Sequence, residues 1–318
     1  MGRAFRLAFA MQRLELFLLL GAALVLLVGS LLLAWQTRAV RGDELACYAA
    51  APEATEGSVG SPCPQFMQAS NLLESGRRIA GGAILLSPFV LGLILGVPIV
   101  AREVEGRTAP IAWALSRSRR RWLLHRGAPI AVITLLTALL LGLAGELLTR
   151  VAPWNEGVAP GFQDYGGRGA LVAVRALAVL SLGLAVGTLL PRQLPALLLA
   201  GAATLGLFVA VALGMDAWMA AEAVPVDAQN MQGVGRVFDM AYRDDATGEL
   251  IGLSDYYDGH GGEIVTGEDG DPEGMTMVAY VIPDHRYPDF VLRESAILAA
   301  VTALALGGAT AAVGRRRP

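Results

Sequence analysis

The chain has 318 residues, of which 54% are hydrophobic and 17% are charged, and its mean hydropathy is +0.52. A single soluble core of this length does not need so many apolar residues, so the composition excludes one water-soluble domain and indicates a polytopic membrane protein. The formal net charge of −3 is small and gives no indication of nucleic-acid binding.

Six apolar runs are long enough to cross a bilayer, because roughly 20 helical residues span about 30 Å of hydrocarbon. We predict an all-α membrane protein with six transmembrane helices over Leu16–Trp35, Ile79–Ala101, Gly127–Leu148, Gly169–Leu190, Leu194–Met215 and Ser295–Gly314. The first run is too long for the apolar core of a secretory signal, so it is predicted to be a retained anchor. Pro88 and Pro98 interrupt the second run and are expected to kink it.

Arginine placement predicts the orientation of the spans, because the chain has no lysine and cytoplasmic loops retain positive charge. With the N-terminus inside, the inner segments hold 14 arginines and the outer segments hold ten. Seven of the 14 lie between Arg102 and Arg126, whereas Asp216–Val291 has 16 acidic residues and three arginines. We therefore predict a multi-pass protein of the cell membrane with both termini in the cytoplasm.

These spans also predict the domain organisation. A membrane domain over 1–218 carries helices 1 to 5, an outer loop over 36–78 and an inner loop over 102–126. An extracytoplasmic insertion over 219–291 lies between helices 5 and 6, and 292–318 forms the last span with a basic cytoplasmic tail. Clusters of Gly and Asp in the insertion favour turns and Met275–Ile282 is suited to a strand, so we expect a small irregular cap.

Cys47 and Cys63 both lie in the predicted outer loop. An oxidising exterior would allow a disulfide between them, and two unrelated thiols are the alternative. A bridge would restrain a segment rich in Ala, Pro, Gly and Ser between the first two spans.

Catalytic and metal-binding motifs are weak in this sequence. A Walker A loop needs a lysine that the chain lacks, and no predicted span places a nucleophile beside a base, so we assign no catalytic residue. Asp269, Asp271 and Glu273 imitate the start of an EF-hand loop, but the twelfth position is Tyr280, where a bidentate glutamate is required. His260 has no second His or Cys at ligand spacing, and we expect no metal site.

Arg175 is the one charge that lies clearly inside a predicted span, where an unpaired charge costs at least about 2.5 kcal/mol near the bilayer centre. Glu146, near the outer end of the third span, is predicted at a similar depth and would be an intramembrane partner. In the alternative arrangement Arg175 extends to the outer headgroups, while Glu146 pairs with Arg150 four residues later.

The inner loop contains VAREVEGRT followed by AWALSRSRRRWLLHR. This pattern resembles the loop after the second span of ABC-2-type transporter permeases, particularly the six-span actinobacterial form. The matching residues are Arg102, Glu103, Gly106, Thr108, Trp113, Ser116, Arg120, Arg121 and Trp122. GTLLPRQLPAL, from Gly187, resembles the family's link between spans four and five. YVIPDHRYPDFVLRESAILAA, from Tyr280, resembles the segment before its last span.

The resemblance implies a transmembrane subunit that pairs with a second copy or a homologue and docks separate ABC ATPase subunits. A helix over Thr108–Ser116 would couple the two kinds of subunit, with Thr108 as its N-cap and the nine matching residues around it. ATP and Mg would bind to the ATPase, and no cofactor to this chain. Attraction of the arginines at 117 and 119–121 to anionic membrane lipid is an alternative role for that charge.

The function implied by this resemblance is export of an amphipathic or hydrophobic compound, with ATP hydrolysis on another subunit, so the chain itself is not expected to be an enzyme. A stand-alone secondary transporter is one alternative, although only Arg175 and two prolines resemble its usual midplane features. A membrane receptor or scaffold that senses through its outer domain is another. A sensor would need an inner output domain, and the longest inner segment, 102–126, has 25 residues.

Overall fold

The computed structural model describes residues 13–50, 63–108, 118–151, 162, 164–228, 234–259, 272 and 274–315. They belong to two compact units. The first comprises the described residues of 1–152, 166–209 and 293–318, and it is helical. The second comprises the described residues of 153–165 and 210–292, and it contains a β-sheet.

Six helical spans are long and apolar enough to cross a membrane, which confirms the predicted fold class. The helices are α1 (Arg13–Ala50), α2 (Pro64–Gly96), α3 (Pro98–Glu105), α4 (Arg119–Val151), α5 (Gly169–Leu189), α6 (Gln193–Ala221), α7 (Leu253–Gly259) and α8 (Tyr287–Arg315). The second span consists of α2 and α3 together, and α7 is too short to be a span. Several helices extend beyond the predicted runs, as α1 does past Trp35. An apolar run marks only the part of a helix that favours the hydrocarbon core of the bilayer. The helix itself extends as far as its backbone hydrogen bonds continue.

Pro88 and Pro98 affect the second span differently. Pro88 lies inside α2 and cannot donate to the carbonyl of Ile84, which instead accepts a hydrogen bond from the Ser87 hydroxyl at 2.7 Å. The helix is divided at Pro98, where α3 begins, although Val97 keeps helical dihedral angles of φ −61° and ψ −47°. The predicted interruption therefore occurs at Pro98, without a change of backbone conformation at the preceding residue.

Glycines bring α2 and α5 into backbone contact. A Cβ on Gly96 would lie 2.6 Å from the carbonyl oxygen of Leu180, and one on Gly187 would lie 2.6 Å from that of Val97. Each of these glycines has a second glycine four residues earlier in its helix. This is the small-xxx-small spacing that lets helices approach closely in lipid, where packing drives association.

The two largest apolar clusters in the described part of the helical unit pack its helices together. The first includes Leu16, Val100, Trp122, Leu180 and Val313, which come from α1, α3, α4, α5 and α8. The second includes Ile84, Leu141, Leu148 and Val172, which come from α2, α4 and α5. α3 is therefore packed among α1, α4, α5 and α8.

The second unit contains a four-stranded antiparallel sheet with the strand order β1-β4-β2-β3. The strands are β1 (Val224–Asp227), β2 (Val234–Asp244), β3 (Leu250–Gly252) and β4 (Met275–Pro283). β4 includes the predicted strand Met275–Ile282. The described part of the insertion is a paired sheet and not only turns around one strand, because β2 and β4 pair along most of their length although they are far apart in sequence, with register shifts at Val234/Arg236 and Val237/Asp239.

Asp244 holds the turn between β2 and β3. Its Oδ1 accepts hydrogen bonds from the backbone N–H groups of Thr247 at 3.0 Å and Ala246 at 2.8 Å. These bonds favour the ionised carboxylate and lower the pKa of Asp244. The stabilisation of the turn is therefore complete above the ordinary pKa of an aspartate and is lost as the pH falls through the lowered pKa.

Cys47, near the end of α1, forms a disulfide with Cys63, just before α2, with a Cα–Cα distance of 6.3 Å. We expect peptide mapping under non-reducing conditions to yield one linked peptide that contains both cysteines. Maleimide should label the folded protein only after reduction, because both sulfurs are used in the bond. Labelling of both residues without reductant would contradict the bridge.

Candidate functional site

The two ends of the 102–126 loop are joined by an ion pair between a buried carboxylate and a partly buried guanidinium. Glu103, in the last turn of α3, has 4% of its surface exposed, and its carboxylate pairs with Arg126 of α4. The Arg126 guanidinium carbon lies 5.0 Å from the ring centroid of Trp122, which is buried in the first apolar cluster. This pair fixes the start of α4 against the end of α3.

Two further contacts connect the end of α3 to other helices. Arg102 pairs with Glu15 of α1, with 3.0 Å between Nη1 and Oε1. The backbone N–H of Gln193, the first residue of α6, donates to Oε2 of Glu105 at 2.9 Å. The helices α1, α3, α4 and α6 thus meet at a group of residues that we call the loop base, which consists of Glu15, Arg102, Glu103, Glu105, Arg126 and Gln193.

The chain leaves α3 through a tight turn. The N–H of Gly106 donates to the carbonyl of Arg102 at 3.0 Å, and the N–H of Thr108 donates to that of Glu103 at 3.0 Å. Arg107 lies between them with a φ of +55°, which is a left-handed conformation. The Thr108 hydroxyl also donates to the Glu103 carbonyl, at 3.3 Å, so this residue closes the end of α3. Its role as the N-cap of a coupling helix concerns residues outside the described ranges and stays a prediction.

The start of α4 carries an exposed basic face. Ser118 Oγ accepts a hydrogen bond from the N–H of Arg121 at 3.2 Å, which is the geometry of a helix N-cap. Arg120 and Arg121 are exposed, and Arg121 Nε donates to Nε2 of His125 at 3.3 Å. Within the described ranges, Arg120 has no ion-pair partner.

The structure divides the nine loop residues into different environments. Glu103 and Trp122 are buried inside the helical unit, and Arg102 pairs with α1. Gly106 and Thr108 form the turn after α3, while Arg120 and Arg121 face outward. Trp113 and Ser116 lie outside the described residues. Contact of any of these side chains with an ATPase stays a prediction.

Arg175 of α5 pairs with Glu294 of α8, and the candidate pair with Glu146 is not formed. The Arg175 Nη2 lies 2.6 Å from Oε1 of Glu294, and the two side chains are 12% and 1% exposed. The Arg175 guanidinium carbon lies 5.7 Å from the ring centroid of Phe208. Because α8 already begins at Tyr287, Glu294 lies inside a helical span and not in the link before it. The apolar run of the last span starts one residue later, which is why sequence analysis missed this partner.

Glu146 follows the alternative arrangement and gains a second partner. Its Oε1 lies 3.3 Å from Nε of Arg150, four residues later, and its Oε2 lies 3.6 Å from Nε of Arg168. The Arg168 side chain is 8% exposed and immediately precedes α5. Glu146 therefore connects α4 to the start of α5. Helical spacing predicted Arg150, but no sequence pattern pointed to Arg168.

In the described part of the chain, no group of three or more His, Cys, Asp or Glu residues is close enough together to bind a metal ion. His260, Asp269, Asp271 and Glu273 lie outside the described residues. The expectation that they bind no metal therefore stays a prediction.

A sequence model of the family described as ABC-2 membrane transporter related matches residues 16–219. The chain belongs to this family. The match extends from α1 into the last turn of α6, so it includes most of the loop base and Arg175. No curated protein and no solved structure matches this ABC-2 permease.

Family membership and six apolar helices make the ABC-2 permease a multi-pass membrane protein of a transporter. The sheet and α8 lie beyond the matched residues. The Arg175–Glu294 pair therefore connects the matched part of the membrane unit to a span outside it.

Proposed function

We propose that this ABC-2 permease is the transmembrane subunit of an ATP-binding cassette exporter for an amphipathic or hydrophobic compound. A separate ABC ATPase binds ATP and Mg and hydrolyses the nucleotide, and this chain binds no cofactor. A second copy or a homologue completes the membrane part. Family membership supports the transporter, and the loop base, which joins four helices to one loop, is the observation that carries the coupling role.

We place both termini in the cytoplasm and the protein in the cell membrane. The distribution of arginines supports this orientation. The disulfide supports it as well, because Cys63 precedes α2 and Glu105 ends α3, at opposite ends of the second span. Disulfides persist in oxidising compartments, so the bridge lies outside and the 102–126 loop inside.

Coupling is a linkage between the arrangement of the ATPase and the packing of the spans. The Glu103–Arg126 pair holds α3 to α4, while Arg102 and Glu105 hold α3 to α1 and α6. Separating Arg126 from Glu103 would leave a buried carboxylate without its counter-ion, which is costly. A force on the loop therefore moves these helices together more readily than it bends the loop away from them. Such a movement would open or close a path between the spans to the exported compound.

The basic start of α4 supplies the docking charge. Arg119, Arg120 and Arg121 lie in the first turn of the helix, where the positive end of the helix dipole adds to their own charge. These positive charges repel one another, and an acidic surface on the ATPase would reduce that repulsion. The headgroups of anionic lipids near the same turn would also reduce the repulsion among these arginines.

Arg120→Glu is expected to weaken association with the ATPase by about fivefold, which corresponds to about 1 kcal/mol for one exposed charge interaction. Folding of the permease should not change, because Arg120 is exposed. Quantitative mass spectrometry of the ATP-binding protein that co-purifies with tagged permease from the native host measures the effect.

Arg38→Glu is the matched control, because Arg38 is also exposed, has no ion-pair partner in the described ranges, and lies on α1 far along the helix from Glu15 of the loop base. It should leave the recovered ATPase unchanged. Equal recovery with Arg120→Glu and wild type would remove Arg120 from the docking surface. Recovery of no ATP-binding subunit with wild type would contradict the proposed function itself.

A further inference from the structure

We propose that the ABC-2 permease binds an anionic phospholipid in a groove between α5 and α8, which we call the Arg315 groove. The groove encloses about 500 Å³ and is lined by Thr188, Leu189, Gly308, Ala311, Ala312 and Arg315. Ligand sites in proteins commonly have volumes of about 300–1,000 Å³. The groove lies within the helical unit, between the last turn of α5 and the last turns of α8.

Small residues on α8 create the space. Gly308, Ala311 and Ala312 have no side-chain atom beyond Cβ and lie on one side of the helix, at helical spacing. Ala309 and Val313, on an adjacent side, are fully buried in the first apolar cluster. α8 is therefore packed against the bundle along one side and leaves a gap beside Leu189 along the other. The groove therefore has apolar walls on a membrane-spanning helix, and an acyl chain can occupy it.

Arg315 places a positive charge at one end of these apolar walls. It is the last residue of α8 and is exposed, and no carboxylate in the described ranges pairs with it. Arg316 and Arg317 follow it directly in the sequence. A phosphate that carries acyl chains complements both features at once, since arginine binds phosphate oxygens well and the chains fill the groove. Inorganic phosphate would satisfy only the arginine, and a zwitterionic lipid adds a cation that Arg315 repels.

Native mass spectrometry of the purified full-length permease, titrated with phosphatidylglycerol or phosphatidylcholine in detergent, tests the proposal. Wild type is expected to bind phosphatidylglycerol more tightly than phosphatidylcholine. Arg315→Gln should lower phosphatidylglycerol binding by about fivefold, the factor for one basic charge near an anionic surface. Gly308→Leu should abolish it by filling the groove.

Gly307→Leu is the matched control. A Cβ on Gly307 or on Gly308 meets no atom within 4 Å, so neither substitution clashes at Cβ, but only Gly308 lines the groove. Gly307→Leu should therefore bind phosphatidylglycerol like wild type. Unchanged binding in Gly308→Leu, or equal binding of the two lipids by wild type, would overturn the proposal. Displacement of the lipid by inorganic phosphate would overturn it too, because the acyl chains would then contribute nothing. None of these outcomes depends on an ATPase partner.

Discussion

Replacement of Glu294 by leucine is expected to destabilise the helical unit by about 3–5 kcal/mol, because the guanidinium of Arg175 would stay buried without a counter-ion. Arg175→Met should have an effect of similar size, since it leaves the carboxylate of Glu294 unpaired. Unfolding of the purified protein in mixed detergent micelles, followed by tryptophan fluorescence, measures the change in free energy.

The double variant Arg175→Met with Glu294→Leu tests the cause of this loss. It should recover most of the stability, because no uncompensated charge remains and the new side chains are apolar. Arg150→Met is the control for an exposed pair, since the Arg150 side chain is 67% exposed, and it should cost less than about 1 kcal/mol. Additive losses in the double variant would show that the two charges do not stabilise each other.

Gly96→Ala is expected to destabilise the same unit by about 2–3 kcal/mol, which is typical of overpacking in a close-packed core. The added Cβ would lie 2.6 Å from the carbonyl oxygen of Leu180 and 3.2 Å from its Cα, and backbone atoms cannot move aside as a flexible side chain can. α2 and α5 would have to separate. Thermal unfolding of the detergent-solubilised protein measures the loss.

Gly82→Ala is the matched control in the same helix, because a Cβ at this position meets nothing within 4 Å. Its effect should be neutral or stabilising by up to about 1 kcal/mol, since alanine favours helix more than glycine does. If Gly96→Ala and Gly82→Ala had the same effect, helix propensity and not the contact with α5 would explain the result.

The spans could be predicted because transfer to hydrocarbon depends on local composition. Each predicted run lies largely within an observed helix, although α1 and α2 continue well past the ends of theirs. The four-stranded sheet was not predicted, because pairing between β2 and β4 depends on segments far apart in the chain. Local turn signals in the insertion gave no information about this pairing.

In the loop base, too, local sequence indicated some residues but not the partners that they contact. The resemblance pointed to Arg102 and Glu103, but it did not indicate that Glu103 is buried against Arg126 or that Arg102 faces Glu15. These partners come from separate helices, and their proximity depends on how the helices pack. Glu294 is a similar case, since Arg175 is more than a hundred residues away in sequence.

The sequence by itself determined the six helices in the described residues that are long and apolar enough to cross a membrane, because each carries its own hydrophobic free energy and satisfies its own backbone hydrogen bonds. Its local motifs also determined the resemblance that the family match bears out. Only the tertiary structure decided which charges pair between helices, because such a pair depends on how closely two separate helices approach each other. At a different contact, between α2 and α5, glycines let the two helices approach to backbone distance.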